Sequence, residues 1–165
     1  MVMGLDLGAT TGWGAFSTSS GTYTYGDVSV DTPEAYYNIL LAKKVEEKIS
    51  EVNPDFVCIE GYAYGGTFFN YAQPEITGQI RRHLWELDID YIMLPPNSAR
   101  KIVLGKGNAK KGEVKKFIVE DLSMSKKESY HVYDALLQVL LGKLFVEGSL
   151  EGSWEEYVEY NIFKR

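Results

Sequence analysis

The chain has 165 residues, 45% of them hydrophobic, with one cysteine and a net charge of −6. That length suits a single domain with its own core, and the lone Cys58 excludes a disulfide framework. No apolar run approaches the roughly 20 residues of a membrane span. Met1 leads into a strand pattern rather than a secretory leader, so the expectations are a cytoplasmic location and no membrane partner.

In chain order, Val2 to Leu7 reads as a short apolar strand, followed by the small-residue turn Gly8-Ala-Thr-Thr-Gly12. Trp13 to Ser17 and Thr22 to Val30 show the alternation of two more strands, with a turn at Ser19-Ser-Gly21. The three form an antiparallel meander. Thr32 can cap a helix and Pro33 can occupy its first turn. Ala35, Ile39, Ala42, Val45, Ile49 and Val52 then recur at helical spacing until Asn53-Pro54. Phe56 to Glu60 is the next strand.

Residues 61–72 are glycine- and aromatic-rich, which is loop composition. A helix over 74–87 follows, then the strand Asp90 to Leu94, which stops at Pro95-Pro96. A short helix near Ser98 to Val103, a Gly105-Lys-Gly107 loop and a basic helix from Lys110 to Asp121 come next. A long apolar helix covers about Ser129 to Val146, and 148–165 is an acidic, aromatic tail. Three meandering strands and then helix-flanked parallel strands predict an α/β fold: a mixed sheet with helices on both faces.

The acidic balance argues against a nucleic-acid partner until its distribution is considered. Between Arg100 and Lys116 lie seven basic residues (Arg100, Lys101, Lys106, Lys110, Lys111, Lys115, Lys116) against Glu113, so this segment is +6 and the remainder −12. A charge run is more commonly a solvated face. Within a Debye length of about 8 Å, however, the local field outweighs the total. With Arg81-Arg82 and Lys126-Lys127 added, the segment is a candidate DNA- or RNA-facing ledge.

Four residues carry the chemistry. Asp6 and Glu60 end apolar strands, where acids are disfavoured. Asp134 sits among Val132, Ala135 and Leu136 on the last helix. A buried, unpaired carboxylate costs several kcal/mol, so it calls for a cation or hydrogen-bond donors. His131, three residues earlier, lies about 60° away around the helix and can face the same point. Such a set suits hard divalent cations, Mg²⁺ or Mn²⁺, rather than zinc.

These blocks resemble the RuvC-type Holliday junction resolvases. Met3-Gly-Leu-Asp6-Leu-Gly-Ala-Thr-Thr-Gly-Trp-Gly14 is similar to their first-strand motif, and Cys58-Ile-Glu60 to their second acidic motif. Gly105-Lys-Gly-Asn-Ala-Lys-Lys-Gly-Glu-Val114 resembles their basic segment, with Lys111 at the lysine position. Tyr130-His131-Val-Tyr-Asp134-Ala-Leu136 resembles the last-helix motif. The order matches from residue 1 to about 145, and the chain's brevity and divergence look like a bacteriophage or viral member.

The resemblance implies a ribonuclease H-like nuclease domain over 1–147, with 148–165 packed on or extending from it. It also implies metal-dependent nicking of Holliday junctions and other branched DNA by a homodimer, with flaps and Y-forks as further candidate substrates. Asp6, Glu60 and Asp134 would be the metal carboxylates; His131 stands where many members have an acid and some a histidine.

Two cations about 3.5–4 Å apart would drive an in-line displacement. Lys111 would stabilise the scissile phosphate or simply bind the backbone. In the aromatic loop from Tyr62 to Tyr71, Tyr64, Phe68 and Phe69 are candidates to stack on junction bases; a dimer contact or core lid explains them equally well. The family's dimer helix corresponds here to 74–87, with Ile76, Ile80 and Leu84.

Three alternatives remain: a ribonuclease H acting on RNA–DNA hybrids, a non-catalytic branched-DNA-binding module, and an actin- or Hsp70-like ATPase. The last is suggested by Asp6-Leu-Gly-Ala-Thr-Thr11, but 165 residues leave no space for its second domain.

Overall fold

The structure, a computed structural model, describes residues 1–32, 34–62, 72–150, 155, 157 and 162–163. Its strands are β1 (Val2–Asp6), β2 (Thr11–Ser17), β3 (Thr22–Val28), β4 (Phe56–Glu60), β5 (Asp90–Leu94) and β6 (Ile162–Phe163). The helices are α1 (Glu34–Val52), α2 (Ala72–Glu86), α3 (Pro96–Leu104), α4 (Lys111–Asp121) and α5 (Tyr130–Val146). One mixed sheet has the order β3-β2-β1-β4-β5-β6. β1, β2 and β3 form the antiparallel meander, while β1, β4 and β5 run parallel. No helix among the described residues is long and apolar enough to cross a membrane.

Side-chain alternation divides the sheet into two cores. Met3, Leu5, Val57 and Ile59 face α1 and α2, where they meet Leu41, Ala42, Val45, Ile49, Ile76, Ile80 and Leu84. Cys58 and Phe56 face the other way, into a core with Ala99 of α3, Val114 and Ile118 of α4, and the length of α5. Period two therefore sends Asp6 and Glu60, each two residues beyond an α5-facing position, to the α5 side.

Helix α5 is buried on every side from Val132 to Gly142, because the sheet covers one face and α3 and α4 cover the other. Glycines set its depth. A Cβ on Gly12 would lie 2.0 Å from the His131 carbonyl oxygen, and one on Gly4 would lie 2.2 Å from that of Ala135. The helix backbone thus rests directly on β1 and β2. At its start, the Ser129 hydroxyl accepts from the Val132 N–H at 3.3 Å and donates to Asp27 at 2.8 Å. Ser129 thus caps the helix through its hydroxyl.

The structure corrects several expectations. Ile39 is exposed, and the inward ridge of α1 runs through Leu41, Val45 and Ile49. Tyr37, one turn before Leu41, hydrogen-bonds the Ala9 carbonyl. The i, i+4 row won over the i, i+3 step that would have turned Ile39 inward. Pro96 opens α3 rather than only ending β5, since a missing N–H costs nothing in a helix's first turn.

β3 ends at Val28. In the tail, Ile162–Phe163 pairs antiparallel with β5, and Phe163 stacks on Tyr91 at 4.9 Å. Pro33 and most of the tail lie outside the described residues.

Candidate functional site

Strand register brings the two strand-end acids together. Leu5 pairs with Ile59 across β1 and β4, so Asp6 and Glu60 emerge side by side at the C-terminal ends of adjacent parallel strands. That is where open α/β sheets place their ligands. Asp134 arrives from the first turns of α5, held down by the glycine contacts beneath it. One ligand oxygen from each of Asp6, Glu60 and Asp134 lies within 4.8 Å of the others, and all three residues are buried. They line a cleft of about 510 Å³ that also includes Gly8, Ala9, Thr10, Gln73, Asn97, Arg100, Lys111 and His131.

Burial and crowding together show in the protonation of Glu60 and Asp134. Burial, followed by repulsion from Asp6 and a hydrogen bond with it, pushes Glu60 up to about 9. Asp134 is also raised, first by burial and then by the Asp6 charge. His131 Nδ1 lies 2.8 Å from Asp6 Oδ2, and this hydrogen bond raises the imidazole above its ordinary value. Burial and the neighbouring carboxylates thus favour the protonated form of Glu60. The Asp134 Oδ1 atom is buried and accepts no hydrogen bond.

These features fit a divalent cation. An orphaned carboxylate oxygen facing two further carboxylates offers hard, anionic ligands at one point.

Of the residues singled out in the sequence, Asp6, Glu60, His131, Asp134, Lys111 and Arg100 converge. Lys101, Lys106, Lys115 and Lys116 of the basic ledge are engaged elsewhere. Lys101 Nζ donates to the Gly105 carbonyl at 2.9 Å, Lys106 pairs with Glu113, and Lys116 lies 3.9 Å from Glu120. Glu113 also accepts the Lys110 N–H at 2.8 Å, which caps α4.

Lys115 donates to the Lys126 carbonyl and sits over the rings of Tyr130 and Tyr133. Lys115, Lys116 and Lys126 line a separate hollow of about 300 Å³ on α4.

Arg81 and Arg82 are not at the cleft. They lie eight and nine residues along α2 from Gln73, about 12–14 Å at helical rise. Arg81 donates to the Tyr91 hydroxyl at 2.6 Å, and Arg82 is paired with Glu86 and Glu46. The expected dimer residues Ile76, Ile80 and Leu84 are fully buried in this chain's own core against α1, so they are not open to a partner. Glu75, Gly78, Arg82 and Trp85 form the exposed face of that helix. Tyr64, Phe68 and Phe69 lie outside the described residues.

Sequence reasoning assigned Arg100 to the ledge and missed that it reaches into the acid cluster. Its guanidinium Nη2 lies 3.6 Å from Asp134 Oδ1 and 3.9 Å from Glu60 Oε1. Charge balance was the signal that could have found it: three buried acids need a nearby cation. Gln73 and Asn97 gave no signal at all.

The fold is that of the RuvC-type resolvases, a ribonuclease H-like architecture. Thermus thermophilus RuvC in complex with a Holliday junction substrate superimposes with a TM-score of 0.72 at 18% identity, covering 89% of this chain and 94% of that one. The fowlpox virus resolvase, solved with substrate Holliday junction DNA, gives 0.55 at 13% identity over 91% and 100% of the two chains. The yeast mitochondrial Holliday junction resolvase Ydc2 gives 0.52 at 11% identity over 96% and 80%. No protein-family model and no curated protein sequence matches the chain.

Proposed function

We propose that this protein is a structure-selective endonuclease that nicks Holliday junctions and related branched DNA, with Mg²⁺ or Mn²⁺ held by Asp6, Glu60 and Asp134. The observation that carries this reading is the buried carboxylate triad, its oxygens within 4.8 Å of one another, at the strand ends of a resolvase fold. Bound there, divalent cations supply a nucleophilic water at neutral pH and neutralise charge developing on a phosphodiester.

The chain's own groups prepare that chemistry. Burial raises the proton affinity of Glu60, and a cation favours the carboxylate form, so cation uptake would release protons from the cluster. His131 holds one oxygen of Asp6 through its Nδ1, which leaves the other carboxylate oxygen to serve as a ligand. Lys111, in the first turn of α4 and on the cleft wall, adds its charge to the positive end of the helix dipole. That combination suits a phosphate of the bound strand. Symmetric cleavage of a four-way junction needs two such sites, and a homodimer provides them.

The test is a cleavage panel. Purified protein is incubated with a synthetic immobile four-way junction, a flap, a linear duplex and an RNA–DNA hybrid, with Mg²⁺, with Mn²⁺ or with chelator. The proposal expects metal-dependent nicks in the branched substrates and little cleavage of the linear duplex. Preferential cutting of the hybrid would instead identify a ribonuclease H. Junction binding without cleavage in either metal would identify a non-catalytic module.

A further inference from the structure

Arg100 combines four properties at one place. Its side chain is 15% exposed, and its charge is permanent because a guanidinium does not deprotonate in proteins. It lies close to two of the three carboxylates, yet at 3.6 and 3.9 Å it makes charge contacts without hydrogen bonds. Its Nη1 donates to the Ala109 carbonyl at 3.2 Å, in the loop just before Lys110 and Lys111.

A purely structural arginine–carboxylate pair would close to a bidentate contact at about 2.7–2.9 Å. Here both sides are left unsatisfied: the Nε of Arg100 and the Oδ1 of Asp134 are buried without hydrogen-bond partners. Both residues line the cleft in which the carboxylate oxygens converge.

We propose that Arg100 is the resident counter-cation of the acid cluster, and that a divalent cation must work against it to enter from the Glu60–Asp134 side. Arg100 thereby sets how much metal the site requires. This rests on the reading that the triad binds cations. Without metal, the guanidinium offsets part of the repulsion among Asp6, Glu60 and Asp134. When a cation arrives, the same positive charge opposes it. The hydrogen bond to Ala109 lets Arg100 keep one anchor while its other nitrogen gives way.

The experiment is a Mn²⁺ titration, read by the electron paramagnetic resonance of free Mn²⁺, on the wild type, Arg100→Gln, Arg100→Leu, Arg100→Lys and Asp6→Asn. Thermal melting in chelator confirms that each variant is folded. Removing a unit charge a few ångströms from a dication is expected to tighten Mn²⁺ binding by about tenfold or more in Arg100→Gln. Arg100→Leu reads the same effect if glutamine disturbs the fold, and Arg100→Lys, which keeps the charge, stays near wild type.

Unchanged or weaker Mn²⁺ binding in the folded neutral variants overturns the proposal. So does an Arg100→Lys variant that tightens as much as Arg100→Gln, because shape rather than charge would then be responsible. Asp6→Asn separates the two levels: undiminished Mn²⁺ binding there would reject the triad as the metal site and the role of Arg100 with it.

Discussion

A methyl group added at two glycines is expected to act in opposite directions, because one glycine carries α5 and the other faces open space. A Cβ at Gly12 would sit 2.0 Å from the His131 carbonyl oxygen and 2.2 Å from its carbonyl carbon, where ordinary contact begins at 3.4 Å. Both obstructing atoms are backbone, so no side chain can turn aside. The helix must retreat by about 1.4 Å at this point, the difference between 3.4 Å and 2.0 Å.

Overpacking of this kind costs typically 1–3 kcal/mol, and a backbone obstruction belongs at the upper end, about 3 kcal/mol. At roughly 2–4 °C per kcal/mol for a chain of this size, Gly12→Ala should melt about 6–12 °C lower. His131 and Asp134 retreat with the helix, which breaks the 2.8 Å hydrogen bond between His131 and Asp6. A misplacement near 1 Å lowers catalysis by about a hundredfold, and junction nicking should fall by that much or more.

Gly78, on the exposed face of α2, has nothing within 4 Å of its added Cβ. Gly78→Ala should raise stability by about 0.5–1 kcal/mol through helix propensity alone, with nicking unchanged. Differential scanning fluorimetry and a junction-cleavage time course read both variants. A Gly12→Ala protein that melts and cleaves like wild type would show that α5 is not seated on β2 as described.

The protonation of the cluster predicts a pH dependence. Glu60, Asp134 and His131 all have raised folded-state values, so each contributes stability at low pH that is lost as pH rises. For Glu60 the loss runs from its ordinary value of 4.5 to about 9. In chelator, melting temperature should fall across that window, and saturating Mg²⁺ should remove most of the fall; Glu60→Gln should flatten it without metal. Fluorimetry from about pH 5 to 9 checks this, and a melting temperature that rises toward the alkaline end in chelator would contradict it.

Gln138, one turn beyond Asp134, is fully buried with both amide atoms unpartnered. Gln138→Met keeps its shape without the desolvated amide, and denaturant unfolding should show a gain of about 1–3 kcal/mol. Neutralising Lys110 and Lys111 should weaken junction binding and lower its log–log salt slope by about one for each phosphate they neutralise. An unchanged slope in fluorescence anisotropy titrations would remove them from the interface.

Local patterning and the site acids were the legible parts of this chain. Asp6, Glu60 and Asp134 stood out because each breaks an apolar element, and strand register then placed the first two side by side. The meander and the order of helices followed from alternation and from the Pro and Gly positions. The inward turn of Arg100 did not follow, because it depends on how α3 lies against α5, a tertiary relation with no local period. Ile76, Ile80 and Leu84 show the converse limit. Their spacing identifies an apolar face, but only the placement of α1 shows that this chain covers it itself. The β6 pairing was hidden in a tail whose two strand residues lie far in sequence from β5.

The most direct measurement compares wild type with Asp6→Asn on one labelled four-way junction. Binding is followed by anisotropy in Ca²⁺, and cleavage is followed after adding Mg²⁺ or Mn²⁺. Wild-type protein should nick the junction in Mg²⁺ or Mn²⁺. The variant should bind with near-wild-type affinity but cleave about a thousandfold more slowly or worse, the scale of losing an electrostatic catalytic group. Equal cleavage rates for the two proteins would contradict the assignment of the triad as the catalytic metal site.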